Sequence, residues 1–199
     1  MGADESTIYF DDDELTALCG DTNSSSDEIM ALYKCYTDIA VDDPDLGATE
    51  GELIKLFDDD MDLQEIMQCV FRIADENSNG RLSFKEFVML VFYLSEKCDD
   101  AQKAKFIYKV LANDVEKTGE EITADKLRVA VEKTLRIKGI SDDELIDRSV
   151  ADAMQKLSKT KPGCITLEEF CAEAERNRHI LDWLKIDIDR VIRSMDEEE

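Results

Sequence analysis

The sequence predicts an all-α protein in which a helix–loop–helix unit occurs four times, arranged as two lobes with an additional helix after the last unit. Three observations carry this. Eight glycines and two prolines in 199 residues are too few for the many tight turns of a β-sandwich. Apolar residues recur at three- and four-residue steps in one segment after another. Polar loops of a dozen or so residues fall near positions 42, 80, 118 and 163, a spacing that marks a fourfold repeat.

Residues 1–25 are acidic and serine-rich and read as a mobile arm with a short apolar patch at Leu15 and Leu18. Ser25 or Ser26 can cap the first helix of the repeat, in which Ile29, Leu32, Tyr33, Tyr36 and Ile39 share a face. Asp42-Asp43-Pro44-Asp45-Leu46-Gly47 breaks it. A short helix near Leu53 to Phe57 follows, then one in which Leu63, Ile66, Met67, Val70, Phe71 and Ala74 line up. Further helical patterns cover about 84–96, 101–112, 124–137, 142–157, 167–177 and 179–194. The divisions that follow are the arm at 1–25, one helix–loop–helix pair at 26–97, a second at 98–177, and an amphipathic helix with an acidic tail at 178–199. In each loop an apolar residue precedes the second helix: Ala48 or Leu46, Leu82, Ile122 and Ile165. Such residues can join paired loops through a short two-stranded β-bridge.

Forty-eight acidic against 24 basic side chains leave a net charge of −24, which repels nucleic acid over most of the surface. The longest apolar run, Phe87 to Tyr93, is far too short to cross a bilayer. The first residues lack the basic head and apolar stretch of a secretory signal. Cys19, Cys35, Cys69, Cys98, Cys164 and Cys171 are scattered and read as reduced thiols of a cytoplasmic protein. The single histidine, His179, has no neighbouring ligand and reads as a surface or helix-start residue. Phosphate-binding glycine loops and nucleophile–base pairings are absent from the sequence pattern, so the expectation is not an enzyme.

The second loop carries the chemistry. Asp75-Glu76-Asn77-Ser78-Asn79-Gly80-Arg81-Leu82-Ser83-Phe84-Lys85-Glu86 fits the EF-hand calcium pattern at every position. A hard cation takes six to eight oxygens. The expected ligands are Asp75, Asn77 and Asn79 through side chains, Arg81 through its carbonyl, Ser83 directly or through water, and Glu86 with both carboxylate oxygens. Gly80 makes the sharp turn and Leu82 faces the partner loop. One Ca2+ is expected here, with Mg2+ as a competitor for the same oxygens.

The other loops depart from that pattern. The fourth, Ser158 to Glu169, keeps Gly163, Ile165 and the closing glutamate but has Lys159 and Lys161 among its early positions, and no metal is expected. The third runs fifteen residues from Ala112 to Lys126. An alternative register starts at Asp114, uses Glu116, Thr118, Gly119 and Asp125, and displaces Ile122 by one; binding there is expected to be weak or absent. The first is stretched by a residue around Pro44 and reads as a structural hand.

These motifs resemble the calcineurin B-like branch of EF-hand proteins, which includes neuronal calcium sensors. The resemblance rests on Asp27-Glu28-Ile29, on the second loop through Phe87, on Ala101-Gln102-Lys103-Ala104-Lys105-Phe106, and on Ile165-Thr166-Leu167-Glu168-Glu169-Phe170-Cys171. It implies four hands in two lobes and an apolar groove that holds a target helix.

The function expected is therefore a calcium-binding regulatory protein with one functional hand that docks a target helix. Two alternatives are a constitutive structural subunit of a larger assembly, such as a ciliary one, and a calcium buffer. The negative charge favours a basic amphipathic helix as partner, with Met30, Met67 and Met89 lining an adaptable groove. Met1-Gly2-Ala3-Asp4-Glu5-Ser6 matches the N-myristoylation pattern, so a membrane enters only if Gly2 is acylated. The apolar residues Ile180, Leu181, Trp183, Leu184, Ile186, Ile188, Val191 and Ile192 suggest a C-terminal helix that either caps the second pair or lies in the protein's own groove.

Overall fold

A computed structural model describes residues 11–55, 61–113 and 119–184. Helix α1 spans Asp12–Thr22 and α2 spans Ser26–Ile39; β1 (Ala48–Thr49) leads into α3 (Glu50–Ile54). The second unit is α4 (Met61–Ala74), β2 (Arg81–Leu82) and α5 (Phe84–Leu94). The third is α6 (Asp100–Ala112), β3 (Ile122–Thr123) and α7 (Ala124–Ile137). The fourth is α8 (Asp143–Leu157), β4 (Cys164–Ile165) and α9 (Leu167–Arg176), followed by a 3₁₀ helix at Arg178–Leu184. The all-α expectation holds, and none of the described helices is long and apolar enough to cross a membrane.

The two β-bridges form in the expected register, antiparallel, with Ala48 opposite Leu82 and Ile122 opposite Ile165. All four of these residues are fully buried, whereas Leu46, the other candidate in the first loop, is 60% exposed. Each bridge is tied to an aromatic residue one turn before its first loop. The Tyr36 hydroxyl donates to the Leu82 and Pro44 carbonyls, and the Tyr108 hydroxyl donates to the Ile165 carbonyl. Burial pushes the Tyr36 phenol up to about 12, so it remains a donor at any ordinary pH. Gly47 has φ +101°, and a Cβ there would lie 2.6 Å from the Leu82 carbonyl oxygen, so the loops approach closely only because this residue is glycine.

Capping boxes set the helix starts at Ser25, Thr49, Ser83 and Thr166, each side-chain oxygen accepting from the amide three residues on while the glutamate there reaches back. One apolar cluster runs through both pairs of hands, from Tyr36 and Phe71 through Phe87 and Leu90 to Ile107, Leu127, Phe170 and Leu181. Met67 belongs to this core and is fully buried, which corrects its expected place in an adaptable groove.

The acidic arm contains a helix that its composition does not advertise. Asp11 caps α1 with Glu14 in a capping box, and Leu18 packs with Ile29 and Val88 in a second, smaller cluster. The segment after the fourth hand starts as a 3₁₀ rather than an α-helix, and Ile180 and Leu181 join the main core against α6 and α9. His179 lies exposed at its start. The Gly2 motif, Phe57, the Asp114–Thr118 part of the third loop, and the Ile186, Ile188, Val191 and Ile192 run with the acidic tail lie outside the described residues.

Candidate metal centre

The second loop links the end of α4 to the start of α5, and helix mechanics place its terminal carboxylates. The Asp75 amide donates to the Phe71 carbonyl as the last bond of α4, and Glu86 sits at the third position of α5 behind its cap, Ser83. Both carboxylates are nearly buried, Asp75 at 5% and Glu86 at 8% exposure. A buried charge needs partners. The Asp75 oxygens accept from the Asn79 and Gly80 amides at 3.1 and 2.8 Å, which curls the loop around the first ligand position. Asn77 Oδ1 accepts from the Asn79 amide and Asn79 Oδ1 from the Arg81 amide, so the alternating side chains turn inward as short Asx turns. Gly80 has φ +80°, as the sharp turn requires.

Glu86 closes the ring. Its Oε1 accepts from the Glu76 amide at 2.9 Å and from Asn77 Nδ2 at 3.2 Å, while Oε2 accepts from the Ser83 amide and hydroxyl at 2.9 and 2.7 Å. The structure thus brings Asp75, Asn77, Asn79, Ser83 and Glu86 into one hydrogen-bonded loop, with Arg81 directly after Gly80 in the chain. Two carboxylates, two amides, a hydroxyl and a carbonyl form an all-oxygen donor set, which suits a hard divalent ion. The Arg81 guanidinium is directed away, donating to the Gly47 carbonyl of the first loop.

Each of the other three loops differs from this one at one end or the other. The amide that ends the preceding helix belongs to Ala40, Asp75 and Ser158 in the first, second and fourth loops. Ala40 is fully buried and offers no side-chain oxygen, and the first loop is one residue longer than the second, as expected. At the closing position Glu52, Glu86 and Glu169 each follow a cap by three residues. In the third loop Thr123 is the cap, and the residue whose amide it receives is Lys126. Its ammonium pairs with Glu120, and Asp125, the closing residue of the alternative register, is exposed. The β-bridge at Ile122 therefore selects the register ending at Lys126, which the spacing alone left open.

The fourth loop satisfies its glutamate internally. Glu169 Oε1 accepts from the Lys159 and Thr160 amides at 2.7 and 2.6 Å, and Oε2 from the Thr166 amide at 2.9 Å. Partial burial pushes this carboxyl up, but the Thr166, Thr160 and Lys159 donors outweigh it and bring it down to about 2. Lys161 pairs with Glu121 across the third and fourth loops. Glu52 behaves alike: burial raises its carboxyl, and the Thr49 amide and hydroxyl with the Asp42 amide turn the balance downward.

Comparison with known proteins agrees with this geometry. Residues 49–93 match the model of the EF-hand domain pair. The calcineurin B subunit of Naegleria gruberi is 25% identical over 85% of this chain and 90% of its own length. The type 2 calcineurin B subunit of Bos taurus is 26% identical over 78% of the chain and 88% of its own length. Calcium-binding protein J of Dictyostelium discoideum is 33% identical, over 51% of this chain and 53% of its own length. Paired helix–loop–helix units around an oxygen-lined loop are the architecture of the EF-hand domain pair matched at residues 49–93. Over most of its length the chain is similar to proteins named as calcineurin B subunits, and over about half of it to one named as a calcium-binding protein.

Proposed function

We propose that this chain is a calcium-responsive regulatory subunit that binds one Ca2+ in the loop Asp75–Glu86 and docks a helix of a partner protein in the cytoplasm. The observation that carries the single site is the comparison of loop ends: only the second loop has a carboxylate at both its first and its closing position. Ala40 replaces the first ligand in one loop, Lys126 the closing ligand in another, and Ser158 with Lys159 and Lys161 remove early charge from the fourth. Binding requires Glu86 to exchange the Glu76 and Asn77 donors for the ion, with Asp75, Asn77, Asn79, the Arg81 carbonyl and Ser83 supplying the remaining oxygens. Mg2+ fits the same donors with fewer of them, and competes.

The test is calorimetry of the full chain with Ca2+. One site is expected, and Glu86→Gln should abolish it, because the change removes a charge and one of two ligand oxygens. Two or more sites surviving in that variant would overturn the assignment.

Docking is supported by the α4–α7 face. Met61 on α4 and Val129 and Ile137 on α7 are 79, 52 and 39% exposed, and Val129 lines a cavity between α4, α6 and α7. Several curated relatives are themselves named as subunits. A net charge of −24 steers a basic amphipathic helix towards such a face. None of the six cysteines is in a disulfide, which accords with a reducing compartment.

A second reading, a constitutive structural subunit, draws on one specific feature. Glu52, Glu86 and Glu169 are all held by donors of their own loops, so the first, second and fourth hands hold their shape without an ion.

A further inference from the structure

The cavity enclosed by α4, α6 and α7 has a volume of about 380 Å³, within the range of a pocket that receives side chains or a small ligand. Ile66, Val110 and Ala130 form apolar wall, and Val129 stands at the rim. Among the described residues the charges on its lining run against the rest of the molecule: Arg72, Lys126 and Lys133 face it with Glu65, three cations to one anion in a chain with twice as many acidic as basic side chains.

Lys126 and Lys133 are seven residues apart on α7, hence on one face and about 10 Å apart along its axis. Lys126 owes its place to the third loop: it occupies the closing position where a metal-binding hand has glutamate. A residue that costs the loop its ion thereby gives the groove a charge.

These cations are paired, and the pairs are exchangeable. Lys133 meets Glu65 at 2.9 Å, Arg72 meets Glu50 at 3.2 Å, and Lys126 pairs with Glu120. The three carboxylate side chains are between 33 and 55% exposed, so water screens each pair and a competing carboxylate displaces it at little cost.

We propose that this groove reads an acidic side chain on the docked helix. The inference rests on the docking reading above and refines it: a partner helix basic towards its ends carries, between apolar residues at its centre, a glutamate or aspartate received by Lys133 and Lys126. Overall charge brings the helix to the protein, and the local inversion fixes its register and polarity, because a central lysine would be set against three cations.

The probe is a pair of synthetic amphipathic peptides about 18 residues long, leucine-faced with lysines at both ends, identical except for a central Glu or Lys. Their affinity for the calcium-loaded full chain is measured by fluorescence anisotropy. The Glu peptide is expected to bind about tenfold tighter. Lys133→Glu should reverse the order, Lys133→Gln should shrink the preference without reversing it, and Lys161→Glu, in the fourth loop, should leave it intact. Equal binding of both peptides, or an unchanged preference in Lys133→Glu protein whose melting curve matches the unaltered chain, would overturn the proposal while leaving helix docking standing. Binding of neither peptide would overturn docking itself along with it.

Discussion

Three of the four loops close with a glutamate, Glu52, Glu86 and Glu169, and each is held by donors of its own loop. Glu169 is held by three backbone donors, and its carboxyl is brought down to about 2, below the roughly 4.5 of an unfolded chain. A depressed acid stabilises the folded state at pH values above its unfolded pKa, and that contribution is lost as pH falls through the folded one. The fourth loop should therefore be fully braced above about pH 4.5 and progressively released towards pH 2. Glu169→Gln is expected to cost about 1–2 kcal/mol at neutral pH, the worth of charge-assisted hydrogen bonds made neutral at a partly solvent-screened position. Thermal melts across pH check this, and the gap between variant and unaltered chain should close between pH 4.5 and 2. A constant gap would show that Glu169 acts by shape alone.

At the scale of elements, α1 is the instructive case. Its signal was present in the residues: Asp11 and Glu14 have capping-box spacing, and Leu15, Leu18, Cys19 and Thr22 recur at three- and four-residue steps. Acidic composition masked it, because a charge-rich segment with one weak apolar stripe is helical only when that stripe has somewhere to pack. Ile29 and Val88 supply the place. Leu18, 4% exposed, is the hinge of that contact. Leu18→Asp should lower stability by about 2–4 kcal/mol, since a carboxylate replaces a buried alkyl group. Urea unfolding measures the loss, and amide exchange should show protection vanishing over residues 12–22 while the bridge at Ile122 and Ile165 keeps its own. The C-terminal segment teaches the converse: periodicity marks Ile180 and Leu181 as apolar, but their docking on α6 and α9 follows a 3₁₀ course over Arg178–Leu184.

For the whole molecule, the question is how far an ion bound in the second loop, as proposed, would be felt. A single site supplies a single site's differential binding energy, so a large rearrangement should stay in the pair of hands that contains it. Against that stands the shared core, in which α4 and α7 meet and Leu90, Ile107 and Leu127 belong to one cluster. Packed cores switch between discrete arrangements rather than bending smoothly, so the α6–α9 half should keep its packing while the α2–α5 half responds. Amide exchange with Ca2+ and with chelator decides the matter. Changes confined to about residues 28–96 support a one-pair sensor; no change anywhere favours the structural subunit. Changes centred on 101–177 would overturn the account of the third and fourth loops.

By itself the sequence determined the fourfold repeat, the helical class, the EF-hand loop pattern from Asp75 to Glu86 and the apolar residues that bridge the loops. These are local properties, written in spacings of three, four and twelve residues, and each is settled by a stretch shorter than one hand. Tertiary structure alone decided that Lys126 closes the third loop, because the choice of register depends on Ile122 meeting Ile165 more than forty positions away. It decided likewise that Met67 is core, that α1 has a surface to fold on, and that Arg72, Lys126 and Lys133 gather around one cavity in an acidic protein. Such facts depend on which distant side chains share a place, and periodicity records the face a residue takes on its own helix but not what that face meets.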